Sequence, residues 1–99
     1  MTPRVSFRPQ AGAEVRKAKA WYEEQVQGLG QDFARTLDAA VAAIAERPET
    51  FPKVYGQFRQ CVMRRFPYSI FFRITASAIV VIAVHHQSRD PAVWQGRAI

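Results

Sequence analysis

Polar and apolar residues alternate at the start of the chain. Val5 and Phe7 fall between Arg4, Ser6 and Arg8, a period of two that predicts a short strand ending at Pro9. The period then lengthens. From Gln10 to Gln27, Ala11, Val15, Ala18, Tyr22 and Val26 recur at intervals of three or four and draw one apolar stripe along a helix, with Trp21 to one side of it. Gly28-Leu29-Gly30 interrupts the stripe, as suits a helix end whose backbone must turn left-handed. A second helix follows, carrying Phe33, Leu37, Ala40, Val41 and Ile44 on its apolar face and stopped by Pro48.

Arg47 to Gly56 contains two prolines and a glycine and reads as an ordered loop held by Phe51 and Tyr55. Beyond it the pattern is that of sheet. Gln57 to Arg65 alternates weakly, Tyr68 to Ile74 places Tyr68, Ile70, Phe72 and Ile74 on one face, and Ile79 to His86 is apolar on both faces, which marks a central strand. Phe66-Pro67 and Thr75-Ala76-Ser77 are short enough for hairpin connections, so the three strands should be antiparallel neighbours, although the second turn lacks the usual Asp or Gly. The order is β-α-α-β-β-β. It predicts an α+β fold with a helical hairpin packed on one face of an antiparallel sheet. Residues 1–99 form one domain, with no repeat, linker or low-complexity tract.

Charge adds a partner to this picture. Lys and Arg outnumber Asp and Glu by 14 to 8, a net charge of +6, and 11 of the 14 cations are Arg. Arginine favours forked recognition of phosphate or carboxylate, so the expected partner is a nucleic acid or an acidic protein segment, against the plainer alternative of a soluble basic surface. Cys61 is the only cysteine, which excludes an intrachain disulfide and a cysteine-built zinc site. The opening MTPRVSFRPQ lacks a long apolar run, and Ala78 to Val84 falls far short of the roughly 20 residues that span a membrane. A cytoplasmic protein, neither exported nor membrane-embedded, is expected.

Candidate chemistry concentrates near the end, in VHHQSRDPAVWQGR. Adjacent strand residues point to opposite faces, so without a bulge His85 and His86 cannot share a ligand, and neither a metal site nor a cofactor is expected. His85 suits a core-capping role and His86 an exposed one, as acid, base or contact. Arg59 and Arg65 fall on one face of their strand and Arg64 on the other, while Arg73 and Arg89 end or follow neighbouring strands. Some of these must lie close together. Such a cluster can align phosphates and stabilise a phosphorane-like transition state on RNA, or it can bind a partner's carboxylates. Arg89-Asp90-Pro91 can start a short helix that folds Trp94 back onto the sheet, with partner contact as the other role for that indole. Ser69, Ser77 and Ser88 have no triad or glycine-elbow context, and Gly28 and Gly30 form no phosphate loop.

Taken in order, Trp21-Tyr22-Glu23, Gly28-Leu29-Gly30 with Phe33, Pro48, Arg64-Arg65-Phe66-Pro67-Tyr68-Ser69-Ile70-Phe71-Phe72-Arg73, Val84-His85-His86 and Arg89-Asp90-Pro91 with Val93-Trp94 resemble the RelE/ParE superfamily of toxins from bacterial type II toxin-antitoxin modules. The similarity spans nearly the whole chain. It implies the β-α-α-β-β-β fold and a cognate antitoxin whose tail wraps the toxin in a hetero-oligomer. RelE-like members cut mRNA at the ribosomal decoding site, and ParE-like members inhibit DNA gyrase without being enzymes; the motifs here look closer to the ParE type. RelE-type nucleases often carry a tyrosine near the C-terminus, whereas here the tyrosines stop at Tyr68 and Trp94 occupies the tail. If the chain cuts RNA, His86 is the candidate acid or base and Arg64, Arg65, Arg73 and Arg89 the phosphate ligands, with Lys53 and Glu49 as weaker candidates. If it acts by binding, Arg59, Arg64, Arg65, Arg73, Arg89 and Trp94 are the candidate contacts. A basic binding module without toxicity is a further alternative on the same fold.

Overall fold

The computed structural model describes residues 4–97. Strand β1 (Val5–Phe7) leads into helix α1 (Pro9–Gln25) and helix α2 (Leu29–Glu46), then a 3-10 turn (Pro48–Thr50), β2 (Lys53–Tyr55), β3 (Phe58–Val62), β4 (Tyr68–Ile74), β5 (Ile79–His86) and a short α3 (Ala92–Gln95). The five strands form one sheet in the order β1-β5-β4-β3-β2. The helical hairpin covers one face, where Ala11, Ala18, Phe33, Leu37, Ile44, Ile70, Phe72, Val81 and Val84 make the main core. On the other face Trp94 lies over Phe71, Ile82 and Ala83, its ring stacked on Phe71 with centroids 3.9 Å apart. Among the described residues no helix is long and apolar enough to cross a membrane.

The expected architecture holds, with β5 paired on both sides over Ile79–Val81, one place in from the sheet edge, and the helical hairpin on one face. Four details differ. The sheet is mixed rather than antiparallel, because β1 pairs with β5 in parallel, with Ile79 N–H donating to Arg4 O and Arg8 N–H to Val81 O. The helical hairpin returns the chain beside its last strand, and no local pattern in a strand as short as β1 encodes that direction. The predicted Arg47–Gly56 loop contains the edge strand β2, whose residues are all exposed and so carry no alternation to read. α1 stops at Gln25, which leaves Val26 extended and 59% exposed, off the buried stripe. Strand β3 ends at Val62, so Arg64 and Arg65 lie in the β3–β4 loop and not on a strand face.

The two glycines of Gly28-Leu29-Gly30 act differently. Gly28 is left-handed at φ 88°, as a helix end requires. Gly30 is where the helices touch: a Cβ there would stand 2.6 Å from Lys19 O. Glu23 completes the turn by accepting hydrogen bonds from Gly28 N–H at 2.9 Å and Gly30 N–H at 3.0 Å. At the second hairpin, where the sequence has neither Asp nor Gly, Thr75 Oγ1 accepts from Ala78 N–H at 3.0 Å and so serves as the turn-forming side chain.

β5 carries one residue too many for its ladder. Phe71 pairs with Ala83 and Phe72 with Val81, leaving Ile82 as a bulge. Ile82 and Ala83 consequently both join the Trp94 side, and the alternation beyond them is reversed, returning Val84 to the helix side.

Two variants test this packing. Leu37→Ala, at a buried position on α2, should destabilise the fold by about 2–5 kcal/mol in denaturant titration. Gly30→Ala should cost more than the few tenths of a kcal/mol expected of a neutral helix substitution, despite alanine's better helix propensity, because α1 and α2 must separate; an unchanged or raised midpoint would refute the close approach.

Candidate functional site

The bulge decides what the end of β5 presents. With the alternation reversed, His85 turns to the Trp94 side, its ring 6.4 Å from that of Phe71, and His86 turns to the helix side, its ring edge-on to Tyr68 at 5.1 Å. His85 is 6% exposed, as the packing role read from the sequence requires, whereas His86, expected to be exposed, is half-buried.

His86 lines an open groove of about 470 Å³ between α1 and the end of the sheet. α1 contributes Glu14, Lys17, Ala18, Trp21 and Tyr22, which face the groove at helical spacing, and the opposite wall comes from Pro67, Tyr68, Val84, His85, His86, Ser88 and Arg89. Trp21 is 55% exposed, an unusual amount of free indole beside a pocket. Burial among these rings raises the pKa of Tyr68, helped by the neighbouring Tyr22 and opposed by Arg89; burial also raises that of Tyr22. Both phenols therefore stay neutral donors over the physiological range.

The histidines are held by their own segment. His86 Nδ1 accepts a hydrogen bond from Ser88 N–H at 3.1 Å and contacts Ser88 Oγ at 2.7 Å. An acceptor Nδ1 places the proton of the neutral ring on Nε2, so the basic lone pair of His86 is already engaged. His85 Nε2 donates to Arg89 O at 3.2 Å, which fastens the segment after β5 to the strand.

The arginines do not converge. Arg89 is exposed at the groove mouth with His86. Arg64 and Arg65 are exposed in the β3–β4 loop; Arg65 has a left-handed backbone at φ 68° and stands 3.8 Å from Asp32 of α2. Arg73 pairs with Val80 toward the opposite end of β4 from Tyr68. Arg59 donates to Phe51 O at 2.7 Å and Glu49 O at 3.1 Å, so its guanidinium pins the loop before β2. Trp94 is 1% exposed, which gives its indole a packing role; its Nε1–H has no acceptor among the described residues. Asp90 Oδ1 accepts from Ala92 N–H at 2.9 Å and starts α3 as its position before Pro91 suggests.

Sequence reading missed the pair nearest the bulge. Arg97 donates to Glu14 through two bonds of 3.0 and 2.9 Å and to Ile82 O at 2.9 Å, while Glu14 accepts from Val84 N–H at 3.0 Å. The partners are 83 residues apart, and no local spacing signals such a pair.

This fold, a helical hairpin on a five-stranded sheet, recurs in solved toxin-antitoxin structures. A chromosomal ParDE toxin-antitoxin system from P. aeruginosa superposes with a TM-score of 0.76 at 13% identity, covering 86% of this chain and 96% of that one. The RelBE2 toxin-antitoxin complex from Mycobacterium tuberculosis matches at a TM-score of 0.61 and 17% identity, over 87% of this chain and 99% of the other. The fold is that of the RelE/ParE superfamily. Residues 5–91 match the family described as the ParE toxin of the type II toxin-antitoxin system, parDE, and the chain belongs to that family. Toxin ParE2 of Mycobacterium tuberculosis is 31% identical over 55 residues, 56% of this chain; the chain spans about half the length of these curated relatives, 52%.

The raised tyrosines give a pH signature. In the unfolded chain they titrate near 10.0, and the folded state holds their protons longer, so their contribution to stability is present below pH 10 and is lost as pH climbs through the folded values. Denaturation midpoints should fall above pH 10, and more shallowly in Tyr68→Phe; equal slopes would refute the shift.

Proposed function

We propose that this chain is the toxin of a type II toxin-antitoxin module that stops growth by binding an essential target, DNA gyrase, and that an acidic antitoxin encoded beside it neutralises it in a hetero-oligomeric complex. Membership of the ParE family supports the toxin role. The observation that favours binding over RNA cleavage is the state of His86. A general base needs a free lone pair within reach of the attacking hydroxyl, and Ser88 occupies Nδ1. The phosphate ligands required by the nuclease reading are also scattered, with Arg73 toward the far end of β4 and Arg65 beside Asp32 of α2. What remains at the groove suits recognition of a protein: exposed Trp21, neutral Tyr22 and Tyr68, and the cations Lys17 and Arg89 around an apolar floor.

The test is tightly controlled expression in a bacterium with 5′ ends of cellular mRNA mapped within minutes of induction. Growth arrest with intact mRNA, accompanied by loss of gyrase supercoiling in a purified assay, is the expected result. New ends inside translated codons would replace this reading with ribosome-dependent cleavage through His86, and unaffected growth would leave a non-toxic binding module. Arg89→Ala should weaken toxicity without moving the thermal unfolding midpoint; a folded variant of full toxicity would remove Arg89 from the site.

A further inference from the structure

Among the described residues Arg65 is the one non-glycine position with a left-handed backbone, at φ 68°. A residue with a Cβ adopts that conformation at a cost, and glycine or asparagine is its usual occupant. The turn between β3 and β4 imposes it. Met63 N–H donates to Tyr68 O at 2.9 Å and Tyr68 N–H to Phe66 O at 2.8 Å, so the chain reverses within a few residues. Met63 and Phe66 are buried, the Phe66 ring lying 4.9 Å from that of Tyr22 and 5.2 Å from that of Phe33. Two arginines bridge these anchors outside the core. The Arg65 side chain stays 62% exposed, its guanidinium 5.6 Å from the Phe66 ring and 3.8 Å from Asp32. Arg64, also exposed, takes part in none of the three ion pairs among the described residues. Contacts so open to solvent do not repay the strain of an arginine where glycine would fit, and strain that the fold does not need points to function.

We propose that Arg64 and Arg65 grip the protein target of this chain by pairing with carboxylates on its surface. Because the loop is fixed at both ends by buried side chains, its backbone has little freedom to lose on docking. The surroundings select a protein over a nucleic acid. Val62 is 60% exposed on one side of the pair and Pro67 is exposed on the other, the mixture of apolar surface and arginine that suits a protein interface. A phosphate backbone instead follows a continuous cationic track, which Asp32 interrupts here. On docking, a carboxylate of the target takes the place of Asp32 at Arg65, and Asp32 keeps Arg35, 3.5 Å away on its own helix. Pro67 also lines the groove, so the loop and the groove make one continuous surface. The inference rests on the target-binding reading above and adds the residues and the charge of the contact.

The experiment measures inhibition of supercoiling by purified gyrase, and binding of the full chain to gyrase without DNA, for the wild type and three variants followed by thermal unfolding. Arg65→Gly should hold or raise the unfolding midpoint, because glycine relieves the left-handed strain, while about tenfold more chain is needed to inhibit. Arg64→Ala should lose a similar factor at an unchanged midpoint, and both should bind DNA-free gyrase correspondingly less well. Asp32→Asn should inhibit severalfold more strongly, since no resident carboxylate competes for Arg65. A loop that only braces the fold gives the opposite pattern, a lower midpoint in Arg65→Gly with undiminished inhibition by the folded protein, and overturns the proposal. Variants that bind DNA-free gyrase as the wild type does and fail only in the presence of DNA would assign the contact to phosphate and overturn the carboxylate. A wild-type chain that leaves gyrase untouched would remove the gyrase reading itself, and this inference with it.

Discussion

The bulge at Ile82 is the constraint on which the end of this molecule depends. One extra residue in β5 reverses the alternation of its side chains, and everything beyond follows: Val84 closes the core under α1, His86 enters the groove, and His85 turns to the opposite face beside Phe71. Past the end of the short β1, the side of β5 away from β4 carries backbone groups that no strand serves, and leaving them unpaired costs about 1–3 kcal/mol each. Glu14 and Arg97 meet them from opposite ends of the sequence. The same two side chains thus satisfy the strand and tie the segment after α3 to α1, and Glu14 also lines the groove.

A family fold is compatible with more than one chemistry, so the site must carry the functional argument. Here the site has aromatic surface and positive charge in a groove, and a histidine whose basic nitrogen is held by its own turn. Those are the materials of recognition. The arginines that looked like a cluster in the sequence serve separate ends: Arg59 braces a loop, Arg65 leans toward Asp32, and Arg89 alone shares the groove with His86.

Local periodicity made much of the architecture legible. The stripes of α1 and α2, the two-sided apolar run of β5 and the face shared by Ile70 and Phe72 all depend on residues a few positions apart, where the pitch of a helix or the pleat of a strand translates spacing directly into facing. The same logic found the Asp90 start of α3 and the burial of Trp94. It failed at β2, whose residues are all exposed, and at the end of β3, where weak alternation ran on into a loop.

By itself, then, the sequence determined the element order, the apolar faces, the excess of arginine and the contrast between a buried and an accessible histidine. Only the tertiary structure decided the parallel direction of β1, the face onto which His86 turns, the dispersal of the arginines and the pairing of Glu14 with Arg97. The division has one physical cause. Side-chain facing within an element is set by covalent geometry over a few residues, whereas strand direction, bulge position and ion pairs between distant segments are set by which surfaces meet when the helical hairpin closes on the sheet.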